Sequence, residues 1–371
     1  MKFFRVERNT SLLMLVAAVA GLVWANSPLW LGLDQLRNFT FGLGAIQFTL
    51  EGWIDNFGIP AFFFLVGLEL KREFASGVLS KPKAVLVPGL AAIFGVALPA
   101  LVYLAIAGAN ATAAAGWPIP TATDVTFSLA ILLIFGKTLP TAARTFLLSF
   151  AVIDDLVAIA IITVLFLGSP SPVSLAWAAG SAVLFAGLVR TKPNHFWKLV
   201  VFLLVGLAAM LALYFTVISG MQSSVMGVVL GLLVPAKFTK LTQEALHPWI
   251  ATLVLPLFAL FAVGVNLGQG NIFGEPVFWA VMTRPISKFL GVLSGGLLGK
   301  RISGEFRDLS TSVLARVAIL AGIGFTISLL VARLTFGLEP AYQTAAVAGT
   351  LIATLISASV AALALVRAHR A

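Results

Sequence analysis

The stretch LLSFAVIDDLVAIAIITVLF, residues 147–166, holds two adjacent aspartates, Asp154 and Asp155, and no other charged residue. A helix that crosses a bilayer needs about 20 apolar residues, and the pair lies near the middle of such a stretch. An aspartate at that depth costs roughly 2.5 kcal/mol or more, and adjacent carboxylates repel unless a proton or cation neutralises part of their charge. The stretch therefore predicts a membrane-spanning helix whose aspartates have a function.

The composition is that of a polytopic membrane protein. The 371 residues are 60% hydrophobic and 10% charged, whereas soluble proteins carry about 25% charged residues. The absence of cysteine excludes disulfides and cysteine-bound metals. We expect an all-α chain that forms a single membrane domain, residues 1–371. Its N-terminal apolar stretch is interpreted as a retained first helix and not as a signal peptide.

Twelve apolar spans are predicted, separated by breaks rich in proline, glycine and lysine. They lie at 10–26, 54–76, 84–106, 112–135, 141–167, 173–189, 197–217, 220–235, 248–267, 276–298, 313–335 and 341–366. With the N-terminus in the cytoplasm, the external loops hold little basic charge beyond Arg37 and Arg333, so the positive-inside rule places both termini in the cytoplasm. The net charge of +10 then reflects topology and not nucleic-acid binding.

The long external loop, residues 27–53, contains FTFGLGAIQFTL, which alternates roughly like a short β-hairpin. Two interpretations remain open. The segment is either an irregular loop or a strand edge that pairs with a second protomer.

Two spans carry helix-breaking residues. In GWPIPTATDVTFSLAILLIF, Pro118 and Pro120 remove backbone donors and disfavour helix before them, which predicts a broken helix around PTAT. In ARVAILAGIGFTISLLVARL, Gly322 and Gly324 permit a second break, although glycines in membrane helices also serve close packing. Paired interruptions in two halves of a chain indicate inverted repeats with an ion site at the midplane. Asp124 would then offset the positive ends of converging helix N-termini.

One predicted span also contains two basic residues, in FWAVMTRPISKFLGVLSGGLL. Arg284 and Lys288 are four residues apart and therefore share a helix face. Either could reach an aspartate and stabilise its charge. The alternative is that their side chains extend to the lipid headgroups.

These residues resemble the NhaA family of sodium/proton antiporters over nearly the whole chain. The matching runs occur in the family's order. They are FFFLVGLELKREFASGVL, IPTATDVTFSLA, FLLSFAVIDDLVAIAII, HPWIATLVLPLFA and GIGFTISLL.

The resemblance implies a twelve-helix fold with inverted-topology repeats and two unwound crossing helices, 4 and 11. The repeat halves would lie near 84–167 and 276–366. It also implies residue roles. Asp155 would be the main sodium ligand and proton carrier, Asp154 its partner, paired with a cation of helix 10, and Thr123 and Asp124 would hold the crossing. Residues near the cytoplasmic funnel would respond to pH; they are Glu69, Lys71, Arg72, Glu73 and Glu244.

The sequence departs from the family pattern at several positions. The cation before the helix-10 proline is usually lysine but is Arg284 here, and arginine is not deprotonated in proteins. A usual histidine of helix 8 is replaced by Gln222, and a usual acid before helix 9 is Gln243, with Glu244 beside it. A scheme in which the helix-10 cation releases a proton would therefore need Lys288.

The sequence thus favours an electrogenic antiporter of a bacterial inner membrane. It would exchange cytoplasmic Na⁺ or Li⁺ for external H⁺ by alternating access, serve pH and sodium homeostasis, use no cofactor, and form a homodimer through the external hairpin. In this expectation Arg284 pairs with Asp154 in the empty state, Asp154 and Asp155 hold the transported cation, and Thr123 joins them in the cation- and proton-binding site. The alternatives are an inactive or sensor-like relative and an intramembrane aspartyl protease, which needs aspartates on two facing helices.

Overall fold

The computed structural model of this chain is almost entirely helical in the residues that it describes, 2–43, 46–77, 82–136, 139–191, 197–268, 271–306 and 308–370. Its α-helices are α1 (Lys2–Ala25), α2 (Trp30–Asn38), α3 (Leu50–Trp53), α4 (Ile59–Ser76), α5 (Pro82–Ala107), α6 (Ala111–Ala114), α7 (Val125–Phe135), α8 (Thr141–Leu165), α9 (Pro172–Arg190), α10 (Lys198–Ile218), α11 (Ser223–Leu233), α12 (Ala236–Trp249), α13 (Leu255–Val263), α14 (Pro276–Met282), α15 (Arg284–Ser303), α16 (Thr311–Ala321), α17 (Thr326–Phe336) and α18 (Pro340–Arg370). The strands are β1 (Thr40–Leu43) and β2 (Ile46–Thr49).

Eight helical stretches of the described chain are long and apolar enough to cross a membrane, or ten if two bent helix pairs each count as one span. This agrees with a multi-pass membrane protein. Two of the twelve predicted spans are not in this set. The span at 220–235 contains only α11, whose 11 residues are short against the roughly 20 that a crossing needs. The span at 276–298 is divided at Thr283, between α14 and α15.

Two boundaries differ from the sequence prediction. The loop predicted at 27–53 contains the helix α2, which is short and carries several polar residues, so a search for long apolar runs does not find it. The span predicted at 248–267 begins earlier, because the amphipathic α12 continues through a π-helical turn, Ile250–Val254, into α13. Polar residues on one face of α12 concealed this continuity.

The described residues cluster into two compact units. The first unit comprises 1–30, 78–158 and 262–371. Its core lies among α5, α7, α8, α15, α16 and α18, and includes Val87, Phe146, Val292, Val317 and Ala361, all fully buried.

Close helix contact in this unit sets the position of α15, which carries Arg284 and Lys288. A Cβ added at Gly295 would lie 2.3 Å from the carbonyl oxygen of Leu90 on α5, and one at Gly291 would lie 2.3 Å from that of Phe94. Backbones can approach this closely only where side chains are missing, as in other membrane helix pairs.

Gly295→Ala is expected to destabilise the protein by about 1–3 kcal/mol, because a methyl group there must push α15 away from α5. Thermal unfolding followed by tryptophan fluorescence measures the change. Gly89→Ala is the matched control, since its Cβ would meet only Val85 Cγ1, at 3.8 Å. Equal midpoints for both variants would contradict the proposed close contact.

The second unit comprises 31–77 and 159–261. Its hairpin is antiparallel, with Thr40 opposite Thr49 and Leu43 opposite Ile46, which confirms the predicted hairpin for these residues; the turn residues 44 and 45 lie outside the description. The ring of Phe41 stacks on that of Trp53 at 5.6 Å. Pairing of this hairpin with a second protomer stays a prediction.

Candidate functional site

The first helix break lies where the PTATD sequence predicts it. A 3₁₀ turn, Ile119–Thr121, is followed by non-helical residues 122–124, and α7 begins at Val125. Pro118 and Pro120 lack N–H groups, so two backbone hydrogen bonds of a regular helix are missing here, which favours a break. The Thr121 hydroxyl donates to the Pro118 carbonyl oxygen at 2.7 Å, and the same oxygen accepts from the Thr121 N–H at 3.1 Å.

The second break separates α16 from α17, which meet at an angle of 43°. Gly324 is needed here because neighbouring atoms leave no room for a Cβ, and not because its backbone is left-handed. A Cβ at Gly324 would lie 2.4 Å from the Ala122 carbonyl oxygen and 2.8 Å from Arg284 Nη1. At Gly322 the nearest atom to such a Cβ would be Ser357 Oγ, at 2.9 Å.

The two breaks bond directly to each other. The Asp124 N–H donates to the Ile323 carbonyl oxygen at 2.7 Å, and the Thr123 hydroxyl donates to that of Ala321 at 2.9 Å. Ser128 donates likewise to Leu320 at 2.9 Å. These contacts satisfy carbonyl groups at the end of α16, which in a bilayer have no water to bond.

Asp124 caps two helices with one carboxylate. Its Oδ1 accepts from the Phe127 N–H of α7 at 3.3 Å. Its Oδ2 accepts from the N–H and the hydroxyl of Thr326, the first residue of α17, at 3.1 and 2.6 Å. The side chain is buried. A negative charge therefore lies at two positive helix ends, as the sequence predicts.

Asp124→Ala is expected to lower the stability by more than a single capping loss, which costs about 0.5–2 kcal/mol. Asp124→Asn should lose less, because its amide oxygen still accepts hydrogen bonds without carrying the charge. Thermal unfolding of the purified protein is the measurement. Asn110→Ala, which removes the single cap of α6, is the control, and an equal effect of Ala at both positions would contradict the double capping.

Asp154 forms a buried ion pair with Lys288. The Lys288 ammonium lies 2.9 Å from Asp154 Oδ1 and 2.8 Å from Oδ2, and the two side chains are 0% and 1% exposed. Asp154 Oδ2 also accepts from the Thr123 N–H at 3.1 Å, and Lys288 donates to the Thr121 carbonyl oxygen. One ion pair therefore connects α8, α15 and the first break.

Asp155 follows Asp154 in α8 and points about 100° away from it around the helix axis. It is half-buried, whereas Asp154 is buried. The two carboxylates therefore differ in burial, and Asp154 is the one held in the ion pair with Lys288.

The expectation that Arg284 pairs with Asp154 is wrong in this structure. Lys288 lies one turn further along α15 and reaches the carboxylate instead. The Arg284 guanidinium, also 0% exposed, donates to Thr354 Oγ1 at 2.7 Å, to the Thr350 carbonyl oxygen at 3.1 Å and to Ser328 Oγ at 3.3 Å. Both cations are enclosed by protein, since Lys288 is also 0% exposed.

Sequence reasoning missed the hydroxyl residues of α18. Thr354 Oγ1 lies 2.5 Å from the Gly324 carbonyl oxygen, and Ser357 donates to that of Gly322 at 2.9 Å. The sequence does contain a pattern that predicts them. Thr350, Thr354 and Ser357 are spaced four and three residues apart and therefore share one face of a helix.

The residues predicted to respond to pH lie in the second unit. Arg72 contacts Glu69, one turn earlier on α4, at 3.9 Å, and donates to Gln243 of α12 at 3.3 Å. Glu244 instead lies 3.9 Å from Lys240, in a largely exposed pair. Lys71 and Glu73 are neighbours on the same end of α4. Gln243, which stands at a position the family usually fills with an acid, thus contacts the predicted group.

The comparisons with known proteins all indicate the same family. The family model described as Na⁺/H⁺ antiporter 1 matches residues 1–365. The chain is similar to the Na⁺/H⁺ antiporter NhaA 2 of Clavibacter michiganensis subsp. michiganensis, with 40% identity over 341 residues that cover 90% of this chain and 83% of the relative.

Two further relatives carry antiporter names. The Na⁺/H⁺ antiporter NhaA 3 of Streptomyces coelicolor is 36% identical over 377 residues, 96% of this chain and 78% of the relative. The Na⁺/H⁺ antiporter NhaA of Pseudomonas putida is 36% identical over 362 residues, 90% and 88% of the two chains.

Proposed function

This chain belongs to the Na⁺/H⁺ antiporter 1 family, and on that basis we propose that it exchanges cytoplasmic Na⁺ or Li⁺ for external H⁺ by alternating access. It is a transporter and not an enzyme, and Na⁺ and H⁺ are its substrates, so the reaction needs no cofactor. Neither the sensor-like relative nor the aspartyl protease is favoured by the names of its relatives. Its task in the cell would be pH and sodium homeostasis.

The observation that carries the proposal is the Asp154–Lys288 ion pair beside a less buried Asp155, next to a helix break. Asp155 would bind the cation and carry a proton, and Asp154 would join it when released from Lys288. Two carboxylates give too few oxygens for a hard cation, which prefers six or so oxygen ligands. The hydroxyl and carbonyl groups near Thr123 would complete the site.

In the proposed cycle, protons leave Asp155 and Asp154 on the cytoplasmic side, and a cation replaces them. Lys288, and not Arg284, is the cation that the entering sodium displaces from Asp154. The loaded site then opens outward, where protons displace the cation. Two protons against one Na⁺ move a net charge, so the cycle is electrogenic in this version.

The finer architecture follows the family. We propose twelve membrane spans with inverted repeats near 84–167 and 276–366, in which the two broken helices are the crossing helices 4 and 11. The protein would lie in the bacterial inner membrane with both termini in the cytoplasm. The external hairpin would pair with a second protomer to form a homodimer. The group around Arg72, with Glu69, Lys71, Glu73 and Glu244, would tune activity to pH.

The test is sodium-driven pH change in proteoliposomes, measured across pH with and without a clamped membrane potential. Addition of Na⁺ or Li⁺ should release protons from loaded vesicles, whereas choline should not. Transport that ignores the membrane potential would exclude the two-proton version. No exchange at any pH, in protein that is monodisperse in detergent, would point to the inactive relative.

A further inference from the structure

The two helix breaks are supported in different ways. The first break presents the Thr121 carbonyl oxygen to the Lys288 ammonium and the Thr123 N–H to the Asp154 carboxylate. Besides its bonds to the second break, the first break is thus supported by both members of one ion pair. In the second break, the Gly322 and Gly324 carbonyl groups lie instead against hydroxyls of α18, which neither gain nor lose charge.

Arg284 is the charged part of this second support. Its guanidinium bonds three oxygens, on Ser328, Thr350 and Thr354, and approaches Gly324 so closely that a Cβ there would lie 2.8 Å from Nη1. An arginine keeps its charge throughout the physiological range, so this support is permanent.

The hydroxyls of α18 complete the support. Thr354 accepts from Arg284 and lies within hydrogen-bond distance of the Gly324 carbonyl oxygen, and Ser357 donates to that of Gly322. Residues 354 and 357 are three apart and share one face of α18. Thr354 and Ser357 thus reach the two glycine carbonyl groups of the second break, and Arg284 in turn bonds the Thr354 hydroxyl.

Lys288 differs from Arg284 because its partner, Asp154, binds a cation or a proton in the proposed cycle. Its ammonium bonds the Asp154 carboxylate directly. A cation or proton that binds Asp154 removes most of the attraction between Asp154 and Lys288. The first break then loses its bond to Lys288, whereas the bonds of Arg284 within the described residues all go to hydroxyl and carbonyl oxygens.

We propose that Arg284, Thr354 and Ser357 are positioning residues that hold the second break fixed, and that Lys288 alone changes partner when the site is loaded. The two cations of α15 thereby have separate tasks, one static and one exchanging. This inference rests on the proposed function, because it states which residues around the proposed cation site change partner and which keep their contacts.

Hydrogen–deuterium exchange of the purified full-length protein tests the static support without a transport assay. Sodium chloride, compared with choline chloride at equal concentration, should change deuterium uptake across 118–127 more than across 320–328, because the second segment keeps its bonds to Arg284 and α18. Arg284→Met should raise uptake across 320–328, and Arg284→Lys should restore much of the protection. Equal sodium effects on both segments, or unchanged uptake across 320–328 in Arg284→Met, would overturn the proposal.

Transport in proteoliposomes gives the second readout. Thr354→Val should raise the KM for Na⁺ by about tenfold, the loss that corresponds to one buried hydrogen bond, without moving the pH midpoint; Lys288→Met should move that midpoint. Thr335→Val is the matched control and should behave as the parent, because its hydroxyl bonds no described residue. A midpoint shift in Thr354→Val as large as in Lys288→Met would refute the division of tasks, whereas exchange that survives in Asp155→Asn would refute the proposed function itself.

Discussion

Replacing Asp155 by asparagine is expected to abolish sodium-driven proton exchange, with a loss of at least about 100-fold, or roughly 2.7 kcal/mol of transition-state stabilisation. The amide keeps the shape and most hydrogen-bonding capacity of the carboxyl group, but it neither releases a proton at physiological pH nor attracts a cation by charge. Because Asp155 is half-buried and is not part of the closed Asp154–Lys288 pair, the fold should tolerate the change.

The measurement is exchange in proteoliposomes, accompanied by thermal unfolding of the same preparation. Asp308→Asn serves as the control, since Asp308 is an exposed acid in a loop of the same unit and should keep parental activity. Residual exchange above a few per cent in Asp155→Asn, with its stability intact, would remove Asp155 from the mechanism.

Replacing Lys288 by methionine is expected to have the largest effect on stability. Methionine fills a similar volume, but it leaves the Asp154 carboxylate buried without its cation, and breaking a buried pair in this way costs about 3–5 kcal/mol. The Thr121 carbonyl oxygen loses its donor as well. The thermal midpoint should fall steeply, and exchange should fall with it.

A double-mutant cycle with Asp154→Asn separates the lost pair from other damage. The double variant Asp154→Asn, Lys288→Met should be more stable than Lys288→Met alone, because no uncompensated charge remains. Additive losses would show that the two side chains do not act as a pair. Arg284→Lys provides the comparison for a buried cation whose charge is kept.

The sequence predicted the breaks well because their causes are local. Two closely spaced prolines, Pro118 and Pro120, disfavour a continuous α-helix there, and an aspartate in an apolar run, such as Asp124, is well accommodated at a helix N-terminus. The hairpin was visible for the same reason, in alternating residues that are close in the chain. Chemical constraints that act over a few residues can be read from one sequence.

The partner of Asp154 could not be read in this way. Arg284 and Lys288 share a face of α15, so periodicity cannot choose between them, and the family pattern favoured the position before the proline. Which of the two cations reaches Asp154 depends on the position of α15 along α5, and the close contacts at Gly291 and Gly295 set that position. The contribution of α18 was missed because small hydroxyl residues in an apolar helix usually indicate ordinary packing.

The bonds between the two breaks also constrain how the protein is made. Asp124 bonds Thr326 across 202 positions of the chain, and Ser128 bonds Leu320 across 192. While the ribosome still synthesises the intervening helices, the PTATD backbone lies in the translocon or membrane without these hydrogen-bond partners. Unsatisfied backbone groups are unfavourable in hydrocarbon. The ion site therefore forms late in biogenesis, and variants that weaken the second break should accumulate as immature, protease-sensitive chains.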